Sequence, residues 1–259
     1  MKKNRKGQAI LPEISDRLAL RLGIEKAINR MLRELAQHVR ANILSKATEK
    51  IKRQRGKGIL DAGPDDFNDA RKLAEELVRI ASRTVETILG LDAEEHTKEW
   101  FKAVKSELGI DISALIDRED LQDYMETALA RNVALIKNVS DDVLKRVEMT
   151  VYNGIIAAKP AKQLAAELTA DFGFAQRRAK LIARDQASKF NSDLNRIRHE
   201  QAGISDYIWS TSLDERVRPL HKKLEGKRFT YGKPTPAEGG GQPGQPINCR
   251  CVARAVVEF

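Results

Sequence analysis

Cysteine is nearly missing from this 259-residue chain: there are two, Cys249 and Cys251. Two thiols one residue apart are too few and too close for a disulfide framework, so a reducing, cytoplasmic site of synthesis is expected. Aromatic residues make up only 5%, which argues against a large β-sandwich or barrel, where aromatic and β-branched side chains fill the sheets. No uncharged apolar run reaches about 18 residues, and the basic start MKKNRKGQAILPEI has no apolar signal core. Neither a membrane span nor a secretory leader is expected. What the chain does have is charge, 32% of its residues, beside 41% hydrophobic residues. That pairing describes long helices with one apolar and one charged face.

The net charge of +9 is unevenly spread. Residues 1–60 hold 16 Lys and Arg against 5 Asp and Glu, residues 61–150 hold 12 against 21, and residues 151–259 hold 18 against 11. An acidic middle between basic ends suits contact with polyanions or with an oppositely charged partner, and ordinary solvated helix faces produce the same count.

Apolar spacing of three to four predicts a long helix from Ile14 to about Gln54, through Leu18, Leu22, Ile28, Leu32, Leu35, Val39 and Ile43. Its end is basic: Lys46, Lys50, Lys52, Arg53, Arg55 and Lys57 form a candidate phosphate-binding segment, or simply a cationic helix terminus. Further helices are predicted from Phe67 to Gly90, from Asp92 to Leu108, from Ile112 to Asn138, and from a Ser140 cap to about Ile155. His96 reads as a packed or surface residue, with no second ligand at helical spacing. Lys159-Pro160 opens a helix to Asp171, Phe172-Gly173 closes it, and another runs from Ala175 to Gln201. The charged face of that last helix includes Arg177, Arg178 and Arg184, which are also candidates for non-specific DNA contact.

After Gly203 the texture changes. Tyr207–Thr211 and Lys227–Tyr231 read as strands, Glu215–Leu224 as a short helix, and CRCVARAVVEF as a final strand. Residues 232–248 hold five Gly and four Pro, a loop longer than ordinary connections. The Gly239-Gly240-Gly241 run lacks the Lys-Ser/Thr of a phosphate loop and reads as flexible. The expected fold is mainly α: a basic tail (1–13), an elongated helical bundle (14–158) and a small α+β module (159–259).

Chemistry concentrates in that module. On an extended strand Cys249 and Cys251 share a face, with Arg250 opposite, and Asp214 and His221 lie about two helical turns apart. Two thiols, an imidazole and a carboxylate match tetrahedral zinc chemistry, although the spacing is that of no standard zinc finger. Three readings stand: a structural metal site; a metal-free fold in which the thiols are small hydrophobes, Asp214 caps the short helix and pairs with Arg216 or Arg218, and His221 bonds to the long loop; and a catalytic site.

The stretches RRAKLIARDQASKFN and YIWSTSLDERVRPLHKKLEGKRF, a Pro/Gly loop, and then PGQPINCRC resemble the phage Mu protein F-like, or SPP-type, head morphogenesis family of minor capsid proteins. The resemblance covers roughly residues 150–259, and it is carried by Trp209, Asp214, Arg216, Val217, Arg218, His221, Leu224, Gly226, Cys249, Arg250 and Cys251. It implies a non-enzymatic virion protein, synthesised in the bacterial host cytoplasm and present in few copies. Its implied partners are the portal protein, other capsid proteins and packaged DNA, in head assembly or genome delivery. Some members carry CxxC where this chain has Arg218-Pro219-Leu220-His221, so a four-thiol zinc site is not carried over whole, and His221 is the residue that can stand for a thiol. The alternative is a phage-encoded, metal-dependent nuclease or transferase using Asp214, His221, Cys249 and Cys251. A third reading, a cytoplasmic DNA-binding regulator, requires sequence-selective binding for which no motif stands out.

Overall fold

The computed structural model describes residues 7–54, 67–113 and 121–258. Arg55 and Lys57 lie outside the described residues. In chain order the elements are β1 (Gln8–Ile10), α1 (Leu18–His38), a π-helical segment (Val39–Leu44), α2 (Ser45–Gln54), α3 (Asn68–Leu108), α4 (Gln122–Ile156), α5 (Ala161–Gln201), β2 (Asp206–Ser210), α6 (Pro219–Lys222), β3 (Arg228–Thr230) and β4 (Val252–Glu258). The protein is mainly α, with a small antiparallel sheet in order β1-β4-β2-β3. Among the described residues no helix is long and apolar enough to cross a membrane.

The helices are fewer and longer than punctuation in the sequence suggests. Gly90 does not end a helix: α3 runs unbroken for 41 residues because its buried stripe, Leu77, Ala81, Val85, Leu89, Ala93 and His96, passes straight through it. Ser140 is likewise no cap but a buried residue inside α4, between the buried Val139 and Val143. Gly173 sits inside α5, where Phe172 and Ala175 continue one buried face. A mid-helix glycine costs about 1 kcal/mol, less than burying one large apolar side chain contributes. The real ends are marked by Gly109 (φ +73°), next to the last residue of α3, and Gly203 (φ +72°), two residues beyond α5, where the backbone turns left-handed.

Two compact units form. A helical unit comprises Leu22–Thr87 and Leu129–Ile182; a sheet unit comprises Met1–Arg21, Ile88–Ala128 and Ala183–Phe259. In the helical unit, Leu35, Val39, Ile43, Ala47 and Ile51 are all buried. Their strict four-residue spacing overshoots the 3.6 residues of an α-turn by about 40° per step, and the wider π-turn at Val39–Leu44 absorbs that drift. Leu18 and Leu22, expected on the apolar stripe, are instead 60% and 42% exposed, and Leu20 and Ile24 are buried in their place. Similarly, Ile80 is exposed on α3.

In the sheet unit, segment 8–10 of the basic tail pairs with β4, Gln8 opposite Glu258 and Ile10 opposite Val256. Strand β4 also pairs with β2, setting Tyr207 against Ala255 and Trp209 against Ala253, while Tyr207 faces Phe229 on β3. One face therefore carries Tyr207, Trp209, Phe229 and Ala253, which join Leu224, Tyr231, Cys249 and Cys251 in a buried cluster. A second cluster gathers Leu11, Ile14, Trp100, Val104, Ile204 and Ala255. The asparagines of α5 hold the chain entering α1: Asn191 Nδ2 and Asn195 Nδ2 both donate to the Ile14 carbonyl, at 2.9 and 3.0 Å. Asn195 Oδ1 lies 3.0 Å from buried His96 Nε2, so His96 is a packed residue, and its burial holds the imidazole down to about 3.

Candidate metal centre of the C-terminal module

Asp214 opens a turn rather than a helix. Its carboxylate accepts the Arg216 backbone N–H at 3.1 Å, and the Val217 N–H reaches the Asp214 carbonyl at 3.2 Å. Helix α6 begins only at Pro219, because proline holds the preceding Arg218 extended (φ −59°, ψ 144°). The expected helix Glu215–Leu224 is thus the four residues Pro219–Lys222, and Asp214 and His221 do not share a helical face. Likewise β4 starts at Val252, so both cysteines lie just before the strand.

The chain nevertheless folds back on itself. His221, Cys249 and Cys251 are buried, and their ligand-type atoms lie within 4.8 Å of one another. Cys249 Sγ is 3.5 Å and Cys251 Sγ 3.4 Å from the same ring nitrogen, His221 Nδ1. The opposite nitrogen, Nε2, is 2.7 Å from a carboxylate oxygen of Glu238. A carboxylate only accepts, so Nε2 carries the proton, and the lone pair of Nδ1 faces the two sulfurs. Trp209 packs edge-on against the imidazole at 5.3 Å between centroids. The Cys251 backbone N–H points at Cys249 Sγ at 3.4 Å. The neighbouring Cys251, with its backbone N–H, holds the Cys249 thiol below its ordinary value, while Cys249 and burial push Cys251 up.

Asp214 does not join this group. Arg250 takes both of its oxygens, at 2.5 and 2.6 Å, and that pair holds the Asp214 carboxyl down to about 2. Its place beside His221 is taken by Glu238, from the Pro/Gly loop, whose carboxyl is lowered by its own backbone N–H and then by His221. Nothing in the sequence marked Glu238, a single acid among glycines; only the loop path brings it there.

That loop is tied down along its length, in contrast to the flexible run expected at Gly239–Gly241. Thr235 Oγ1 donates to the Gly241 carbonyl (2.6 Å), Ser192 Oγ to the Pro243 carbonyl (2.5 Å), and the Asn248 N–H to Asp185 Oδ1 (2.8 Å). Arg218 reaches across to the Ile247 carbonyl at 2.5 Å and lies 3.5 Å from Glu238. Gly244 (φ +88°) touches α5 so closely that a Cβ would stand 2.8 Å from Ser192 Cβ and 3.1 Å from the Ser188 carbonyl. Of the other motif residues, Trp209, Val217 and Leu224 are buried, Gly226 turns left-handed (φ +70°) before β3, and Arg216 is exposed.

The basic candidates separate by their surroundings. Lys46, Lys52, Arg53 and Arg177 are exposed, and Lys50 is half-buried. Arg53 pairs with Glu49 at 2.5 Å, and Arg178 pairs with Asp142. Arg184 is half-buried; burial and then the charges of Arg250, Arg21 and Arg216 lower its basicity. Arg198, further along α5, is buried and donates to Thr97 Oγ1 at 2.8 Å.

A sheet edged by residues 8–10, a Pro/Gly loop bonded to a long helix and a His-Cys-Cys cluster together define a small α+β module. Residues 145–254 match the family described as Phage Mu protein F like protein, which is what the C-terminal part of the chain is similar to. The chain is also similar, at 38% identity over 169 residues, to an uncharacterized protein of Haemophilus influenzae. That alignment covers 64% of this chain and 37% of the Haemophilus protein, so the chain spans well under half of its relative. No solved structure matches.

Proposed function

We propose that this chain is a minor head protein of a bacteriophage, a non-enzymatic component of the virion that acts with other capsid proteins in head morphogenesis, at the portal vertex and against packaged DNA. The observation that carries this reading is the Mu F-like match over residues 145–254, which takes in the cluster of His221, Cys249 and Cys251 and the Pro/Gly loop that closes over it. Synthesis in the host cytoplasm suits a module whose two cysteines are both free thiols.

Non-specific phosphate contact falls in this reading to the exposed cations Lys46, Lys52, Arg53 and Arg177, since Lys50, Arg178 and Arg184 are half-buried. The enzymatic alternative, a metal-dependent nuclease or transferase, drew on Asp214, His221, Cys249 and Cys251, and of these Asp214 is held by Arg250.

Mass spectrometry and cryo-electron microscopy of purified heads test the assignment. We expect the chain in few copies at the portal vertex, and heads made without its gene to be defective; its absence from heads while abundant in the lysate would overturn it. In DNA-binding assays we expect affinity that ignores sequence and fades with moderate salt, with a shallower salt slope when Lys46, Lys52 and Arg53 are replaced by Ala. Tight, sequence-selective binding at physiological salt would instead identify a regulator.

A further inference from the structure

We propose that His221 Nδ1, Cys249 Sγ and Cys251 Sγ bind a single zinc ion, and that Glu238 is the outer carboxylate that orients the histidine. The first argument is geometric. A tetrahedral zinc with Zn–S of about 2.3 Å and Zn–N of about 2.0–2.1 Å has an S···N edge of about 3.5–3.6 Å. The two observed Sγ···Nδ1 separations, 3.5 and 3.4 Å, match that edge, and both converge on one nitrogen. A lone S–H···N hydrogen bond would engage one sulfur and leave the other elsewhere.

The second argument is the direction of every neighbouring donor. Glu238 binds Nε2 at 2.7 Å, which fixes the tautomer that presents the Nδ1 lone pair to the sulfurs. Ligating histidines are oriented in just this way by a carboxylate on the far nitrogen. The Cys251 backbone N–H points at Cys249 Sγ at 3.4 Å, as it would to neutralise a metal-bound thiolate. The third argument is local order. Pro219, Arg218 with its bond to the Ile247 carbonyl, and Gly244 against α5 fix the segments that carry all three ligands. Soft thiolates with one imidazole select zinc over calcium or magnesium. Three protein ligands leave a fourth tetrahedral position, which a non-protein ligand fills.

The full-length chain, purified without a metal-affinity step and desalted, tests this by elemental analysis and native mass spectrometry. We expect about one zinc per chain, and cobalt(II) added to stripped protein to give the thiolate charge-transfer band and the intense visible bands of a tetrahedral site. Cys249→Ser and Cys251→Ser abolish both. Glu238→Gln keeps the stoichiometry but lowers zinc affinity about 10- to 100-fold, since it acts on the histidine and not on the metal. If the cysteine variants fail to fold, the wild-type spectrum and the Glu238→Gln titration still decide. Protein that is folded by circular dichroism yet holds no zinc and gives no thiolate-cobalt band overturns the site, as does a Cys249-Cys251 disulfide in chain isolated under reducing conditions. Unchanged affinity in Glu238→Gln overturns the role given to Glu238. None of these readouts depends on the head-protein assignment.

Discussion

The helical unit and the sheet unit are held together by different means. In the helical unit a periodic stripe supplies most of the stabilisation: Ile28, Leu32 and Leu35 are fully buried, and each contributes about 1.5–3 kcal/mol, while its ion pairs, Arg30–Glu34 for example, are largely solvent-exposed and worth little. In the sheet unit the strands are short, and side-chain hydrogen bonds to backbone tie down the irregular segments: Asn191 and Asn195 to Ile14, Ser192 to Pro243, Arg218 to Ile247. A stripe tolerates the loss of any one polar group. A network spanning distant parts of the sequence does not, because each broken bond leaves a buried partner unsatisfied.

The sharpest way to separate the units is to remove one large side chain from each. Trp209→Ala should cost about 3–5 kcal/mol and Leu35→Ala about 2–5 kcal/mol. Both tryptophans, Trp100 and Trp209, are buried in the sheet unit, so tryptophan fluorescence follows that unit while far-ultraviolet circular dichroism follows the helices. Coincident transitions in both variants would show that the units unfold as one.

Acid should act first on the sheet unit, which buries His96 and His199, each held down to about 3 by burial. Both stay neutral when folded and gain a proton on unfolding below about 6.5, so stability is full above that pH and falls toward 3, by about 1.4 kcal/mol per pH unit for each. Urea midpoints between about pH 7 and 5 should show this loss. The double variant His96→Gln, His199→Asn should flatten the profile, and an unchanged slope would remove the account.

Glycine substitutions should have opposite signs. Gly244→Ala drives a Cβ into Ser192 and the Ser188 carbonyl at a left-handed backbone and should destabilise by about 1–3 kcal/mol. Gly173→Ala, inside α5 with only Arg177 Nη1 nearby at 3.8 Å, should stabilise by about 0.5–1 kcal/mol. Thermal midpoints of the two variants, moving in opposite directions, check the pair. The smallest effect belongs to the helical surface: Arg53→Ala should cost about 0.3–0.5 kcal/mol through the loss of Glu49, and less in high salt.

The same contrast explains what could be read in advance. Periodicity identified α1 through α5, yet it broke α3 at Gly90, α4 at Ser140 and α5 at Gly173, because a local helix-breaking preference of about 1 kcal/mol was read without the buried stripe that outweighs it. It also put Leu18 and Leu22 on the wrong side, where neighbouring Leu20 and Ile24 fit the stripe equally well. In the site, His221, Cys249 and Cys251 were recognisable by residue type, and the structure gathers them. Asp214 was placed with them on the assumption of one helix, which Pro219 shortens, and Glu238, Ser192 and Asp185 gave no signal, since each contributes through a partner 17 to 63 residues away.

Residue order alone determined the helical class, the change of texture after Gly203 and the chemical types available to the cluster, because these rest on spacing and composition within a few turns of chain. Tertiary structure alone decided which carboxylate stands behind His221, where the long helices end, and that residues 8–10 close the sheet against β4. Those outcomes depend on contacts between segments far apart in sequence, whose free energy appears only when both are buried together.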